Sequence, residues 1–361
     1  MSPRERFLTT LNGHLPDRPP VFATFTPQAA QKISLALKIP YEEPLDSLLS
    51  TRISHMAMLT ELGNDAIGIA ACTPAARPTY TDENGIIINE WGMHFRTVGL
   101  YNEFAAFPLA GIKEKRDLDA YPFPDPRAEG RFDQAVLAIN KFGQGFGVIA
   151  DLECTIFETA WYLVGLEKLL TDMMYNESYV QPLLDKILEI NLVTGEKLIR
   201  LGADMIWAGD DFGGQQGLIM SPEIWRNLFK PRIKYLFEHF KKVNPAIKIA
   251  WHSCGSIRPI IPDFIEIGLD VLNPIQPLAH QMDAQRLKAE FGNDLIFFGG
   301  IDIQELIPNG TPAQIREDIQ SKIEILGKNG GYIIAPAHNI QDDTPVENIL
   351  AFFDAIRTYA A

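Results

Sequence analysis

His252 and Cys254 stand two residues apart where the apolar run Lys248-Ile-Ala-Trp-His-Ser-Cys-Gly255 gives way to glycine. Residues i and i+2 of a strand project to the same side, so an imidazole and a thiol leave this strand together. Imidazole nitrogen and thiolate sulfur are donors that zinc favours. A second histidine, His338, ends another apolar run, Tyr332-Ile-Ile-Ala-Pro-Ala-His338. Metal binding through His252, Cys254 and His338 is therefore the first expectation. Cys72 and Cys154 read as small buried hydrophobes, and His14, His55, His239 and His280 as surface or packing histidines.

Other polar side chains also follow short apolar runs. Asp151 and Glu153 end the run that starts at Phe146, Asp210 and Asp211 follow Met205-Ile-Trp-Ala-Gly209, and Gln215 comes soon after. Asn273 lies within Val271-Leu-Asn-Pro-Ile-Gln276, and Asp302 ends Leu295-Ile-Phe-Phe-Gly-Gly-Ile-Asp302. A buried strand does not need such groups for packing, so they are candidates for a shared site if the strand ends converge.

The elements that would position them are eight short apolar strands, near residues 21, 65, 146, 204, 247, 271, 295 and 332, alternating with helical patterns. Runs that are apolar throughout imply burial on both faces, as in a parallel sheet. Eight such βα units predict an α/β chain folded as a single (β/α)8 TIM barrel, with its site at the C-terminal ends of the strands. Ser221-Pro-Glu and Thr311-Pro mark helix starts, and helices are expected at the N-terminus and over residues 45–62. Asn84-Gly85 signals a β-hairpin, whose second arm is expected at Asn89–Phe95. One domain over residues 1–361 is expected, with an insertion at about 78–126 covering one end.

The net charge of -14 lacks the basic footprint of a nucleic-acid binder. There is no run of about 18 apolar residues to span a membrane, and the N-terminus lacks the apolar core of a secretory signal. Three scattered cysteines fit a reducing cytoplasm.

Trp251-His-Ser-Cys-Gly255, Phe298-Gly-Gly-Ile-Asp302, Gly330-Gly-Tyr-Ile-Ile-Ala-Pro-Ala-His-Asn-Ile340 and Gly202-Ala-Asp-Met-Ile-Trp-Ala-Gly-Asp-Asp211 resemble the uroporphyrinogen decarboxylase superfamily. The resemblance spans nearly the whole chain and implies a (β/α)8 barrel. Its decarboxylases grip substrate carboxylates with an arginine-rich segment just after the first strand, whereas Phe22–Ala29 contains no arginine. A polyanionic substrate would then leave carboxylates without partners in a closed pocket, at considerable cost.

The corrinoid-dependent methyltransferases of the superfamily carry the His-x-Cys pair, which with a later cysteine holds zinc. His252 and Cys254 match its first two positions, and His338 stands at the third, a departure from cysteine. His338 also matches a histidine that the decarboxylases carry near their C-terminus. The function so implied is zinc-dependent transfer of a methyl group between a small methylated substrate, a methoxy compound or a thiol, and the cobalt of a corrinoid (cobalamin). The chain has no Asp-x-His-x-x-Gly cobalamin signature, so the corrinoid would arrive on a separate protein.

Asp210, Asp211 and Glu153 are the catalytic candidates in this reading. Gln215, Asn273, Asp151, Trp207 and Phe212 are the substrate-binding candidates, and Glu153 or Asp151 could supply a fourth ligand or accept a proton. A cofactor-free decarboxylase of another substrate and a non-catalytic ligand-binding barrel are the alternatives, and fold alone does not choose among them. A homodimer is left open.

Overall fold

The apolar runs become the staves of a ring. A computed structural model describes residues 1–47, 49, 52–99 and 101–359, Tyr101 by its backbone alone. Among the described residues the strands are β1 (Ala66–Ile69), β2 (Tyr80–Thr81), β3 (Ile87–Ile88), β4 (His94–Val98), β5 (Tyr101–Ala106), β6 (Gly147–Glu153), β7 (Met205–Gly209), β8 (Lys248–His252), β9 (Val271–Ile275), β10 (Ile296–Ile301) and β11 (Tyr332–Pro336). Strands β1 and β6 to β11 pair side by side in chain order, all parallel.

The eighth stave differs from the expected strand. Residues 21–25 make only isolated bridges, Val21 to Ile334 and Phe25 to Ile340. Phe22 N–H donates to the Ile334 carbonyl at 3.2 Å and Thr26 N–H to that of Ile340 at 3.0 Å. On the other flank Asp65 N–H donates to the Val21 carbonyl at 2.8 Å, and side chains supply the rest of the ladder. Asp65 Oδ2 accepts from Val21 N–H at 2.8 Å, and Asn64 Oδ1 accepts from Ala23 N–H at 2.9 Å. Arg6 and Arg18 hold the Asp65 carboxylate from below. The ring closes as a (β/α)8 barrel.

Inside it, Phe22, Ala66, Ile149, Met205, Ala250, Val271, Phe298 and Ile333 form one apolar cluster, about one from each stave. The helix Pro3–Leu11 closes the bottom with Phe7 and Leu11. A larger apolar cluster joins the outward strand faces to the helices. The two marked helix starts behave as their residues dictate: Ser221 Oγ accepts from Ile224 N–H, and Thr311 forms a capping box with Gln314. Of the helix expected over 45–62, residues Met56–Leu62 are helical, and Leu48, Ser50 and Thr51 lie outside the described residues.

The expected hairpin is one part of a four-stranded antiparallel sheet, β2-β3-β4-β5. Its second arm is Ile87–Ile88, opposite Thr81 and Tyr80, rather than Asn89–Phe95. Asn89 to Met93 form the next turn, where Asn89 Oδ1 accepts from Met93 N–H at 3.1 Å. Phe104 of this sheet packs against Trp161 and Tyr162, on the helix that follows β6. Trp91 is buried at the C-terminal ends of β1 and β6, beside a cavity of about 30 Å³ that Ala70, Asp151 and Glu153 also line. No described helix is long and apolar enough to cross a membrane.

Candidate metal centre at the barrel mouth

Strand parity decides which side chains enter the mouth. On β7, Met205 and Trp207 belong to the inner cluster, so Gly209 and Asp211 continue inward while Asp210 and Phe212 turn outward. Strand β8 runs alongside with Gly209 opposite His252. Ala250 faces the inner cluster, so His252 follows it inward. Gly209 is required here: a Cβ would lie 2.4 Å from the His252 carbonyl oxygen and 2.5 Å from its Cβ. Beyond the strand, Gly255 has φ +78, and a Cβ on it would lie 2.5 Å from the Gly213 carbonyl. That close crossing turns the chain immediately after Cys254 and leaves its thiol at the mouth.

His252 Nε2 lies 3.3 Å from Cys254 Sγ, 3.5 Å from Asp211 Oδ1 and 3.7 Å from Glu153 Oε1. One ligand atom each from Asp211, His252 and Cys254 fall within 4.8 Å of one another. Asp211 Oδ1 also accepts from Cys254 N–H at 2.7 Å, which ties the carboxylate to the end of β8. The other ring nitrogen of His252, Nδ1, is 2.6 Å from Asn273 Oδ1. Gln276 Oε1 accepts from Gly255 N–H at 2.6 Å and pins the turn.

Arg52 reaches into this cluster from the segment before the helix Met56–Leu62. Its guanidinium pairs with Glu153, lies 3.9 Å over the Trp207 ring, and places Nη2 3.4 Å from both ring nitrogens of His252. Burial, and then this cation, hold His252 well below the usual imidazole range. Burial raises Glu153 despite Arg52, with Asp151 and Asp211 adding repulsion. Burial first, and Asp211 next, push the Cys254 thiol up. Glu158 is raised by burial and by Asp211, Asp210 and Glu153.

These groups fit a divalent metal. Imidazole nitrogen, thiolate and carboxylate are all zinc donors. Beyond burial, Asp151 and Asp211 raise Glu153, and Asp211, Asp210 and Glu153 raise Glu158, a repulsion that a cation relieves. A thiol that resists ionisation among carboxylates is deprotonated when a metal coordinates it. The charge of Arg52 opposes the cation, and its pairing with Glu153 offsets that repulsion.

The residues expected from sequence separate on inspection. His338 is not among the side chains that meet within 4.8 Å; Asp211 is. His338, just past β11, has an exposed edge, yet desolvation in the mouth and then Arg52 lower its pKa to about 4, and its own charge acts on His252. Asp210 is wholly buried and accepts from Ile156 N–H and Glu158 N–H at 3.0 Å, so it caps the helix Phe157–Val164. Phe212 is buried outside the ring, among Phe157, Trp225, Phe229 and Trp251. Trp207 is inner wall, and Asn273 is buried at its indole. Gln215 is exposed on the loop after β7, and Asp151 is buried beneath Glu153, whose N–H it accepts at 3.0 Å.

Sequence reasoning missed Arg52 and Glu158. Arg52 sits in a segment with no strand pattern. Glu158 lies in the first turn of a helix, where a carboxylate reads as a dipole partner, yet its Oε2 accepts from Asp211 N–H at 3.1 Å.

A family model for uroporphyrinogen decarboxylase (URO-D) matches residues 105–359. A uroporphyrinogen decarboxylase from Enterobacter sp. (strain 638) is 24% identical over 275 residues, covering 73% of this chain and 75% of the relative. A methylated-thiol–coenzyme M methyltransferase from Methanosarcina mazei is 23% identical over 239 residues, covering 65% of this chain and 61% of that protein. Among solved structures, a methyltransferase from Methanosarcina mazei superposes with a TM-score of 0.75 at 20% identity, over 100% of both chains. That likeness bears on the fold.

Proposed function

The chain belongs to the uroporphyrinogen decarboxylase family, and from that premise we propose that it is a zinc-dependent methyltransferase. It moves a methyl group between a small methylated substrate, a methoxy compound or a thiol, and the cobalt of a corrinoid carried by a separate protein. The observation that carries this reading is the meeting of His252, Cys254 and Asp211 ligand atoms within 4.8 Å at the mouth. Three protein ligands leave a fourth position open for substrate. In this reading Asp211 is the third ligand, and His338 stands at the rim. The methyltransferase relative supports methyl transfer as the reaction class.

A zinc ion held there would act as a Lewis acid on the substrate's sulfur or oxygen. The chain's own residues do the rest. Glu153 is 3.7 Å from His252 Nε2 and takes the proton that an entering thiol gives up. Arg52 holds Glu153 in place from its seat over Trp207. Because that guanidinium is already engaged, it is poorly placed to clamp the carboxylates of a polyanionic substrate, which weighs against decarboxylation.

The test incubates purified protein with methylcobalamin and a thiol and follows the corrinoid spectrum, with and without a chelator. Demethylation that the chelator abolishes and zinc restores is expected. Carbon dioxide release from a porphyrinogen carboxylate, unaffected by the chelator, would assign the chain to the decarboxylases. Thiol binding with no turnover, even with a methylated corrinoid protein, would make it a binding barrel.

A further inference from the structure

Asn273 lies on β9, opposite His252 of β8, and is 2% exposed. Its amide orientation is fixed by two neighbours. The Trp207 indole Nε1–H, which can only donate, points at Asn273 Oδ1 at 3.0 Å. The Phe298 carbonyl, which can only accept, receives Nδ2–H at 3.2 Å. Flipping the amide would set donor against donor and acceptor against acceptor. The atom 2.6 Å from His252 Nδ1 is therefore the amide oxygen, and Nδ1 must carry the proton.

A neutral imidazole carries one N–H, and the Arg52 guanidinium 3.4 Å away opposes a second. Being equidistant from both ring nitrogens, Arg52 Nη2 is aligned with neither lone pair. His252 Nε2 is thus left bare, facing Cys254 Sγ at 3.3 Å.

We propose that Asn273 is a positioning residue: it locks His252 in the Nδ1–H tautomer and presents the Nε2 lone pair to the metal before any metal arrives. Trp207, two strands over on β7, acts through it by fixing which amide atom faces the ring. The inference rests on the zinc reading above only for what the bare nitrogen is used for; the tautomer itself does not depend on it. Groups that orient a ligating histidine in this way are typically worth about 10–100-fold in metal affinity.

The test is nitrogen NMR of the full chain, chelator-treated and labelled with ¹⁵N-histidine, the His252 signals being assigned by their loss in His252→Gln. Zinc affinity is measured alongside by competition with a chromophoric chelator. The wild-type protein should show Nδ1 protonated and Nε2 bare. Asn273→Leu should mix the tautomers and weaken zinc about 10–100-fold. Asn273→Asp, whose carboxylate oxygen accepts the same proton, should restore both. A wild-type Nε2–H tautomer would overturn the proposal, whether or not the variants fold. So would an Asn273→Leu protein with wild-type zinc affinity. A wild-type chain that holds the Nδ1–H tautomer yet binds no zinc would uphold the lock and refute the metal reading instead.

Discussion

Replacing Gly209 with alanine adds one methyl group at the tightest point beside the centre. That Cβ would sit 2.4 Å from the His252 carbonyl oxygen, where ordinary contact begins at 3.4 Å, so β7 and β8 must part by 3.4 − 2.4, about 1 Å. Little can yield. Gly209 N–H donates to Thr155 Oγ1 at 2.8 Å, Thr155 N–H donates to the Gly209 carbonyl at 2.8 Å, and Asp210 N–H donates to the same His252 carbonyl at 3.0 Å. Overpacking of this kind costs about 1–3 kcal/mol. Metal–ligand bonds tolerate about 0.2 Å, so the movement takes His252 Nε2 out of ligation. The expected result for Gly209→Ala is a lower Tm and a loss of zinc affinity of at least about tenfold, about 1.4 kcal/mol. Chelator competition and thermal unfolding measure both. A variant with wild-type zinc affinity would refute the claim that this strand contact seats the ligand.

The third ligand is tested by a pair of variants: Asp211→Asn, which can still accept from Cys254 N–H, should lose most of its zinc, whereas His338→Gln should keep it, and metal content by elemental analysis decides. Asp210 gives a pH signature. Burial, opposed by the N–H donors of Ile156, Phe157 and Glu158, pushes its folded pKa up to about 7 from 3.8. For an acid with a raised folded pKa, the contribution to stability is complete below about pH 4 and is lost as pH rises through 7. Asp210→Asn should flatten that decline, and denaturant unfolding at pH 5 and pH 8 should show it; an unchanged slope would count against a buried, shifted Asp210.

Much of the barrel was legible because parallel strands buried on both faces leave a plain mark, short apolar runs separated by helices. The stave at residues 21–25 was less so, since Asp65 and Asn64 side chains replace half of its ladder and leave no mark in that segment itself. His252 and Cys254 were legible through the two-residue period. The same period, started from the inward Trp207, separates Asp211 from Asp210 and Phe212, and applying it would have placed one inside and two outside. What lies beyond a strand's end has no such rule. His338 follows β11 by two residues and is not among the side chains whose ligand atoms meet, while Arg52 arrives from a loop far away in sequence.

The central claim is a nitrogen, sulfur and oxygen donor set on one ion at the mouth. X-ray absorption at the zinc edge, on protein as purified, tests it most directly. About one zinc per chain is expected, with a single sulfur at about 2.3 Å and the remaining scatterers nitrogen or oxygen at about 2.0–2.2 Å. Zinc without a sulfur neighbour, or a metal-free protein that still transfers methyl groups, would contradict it.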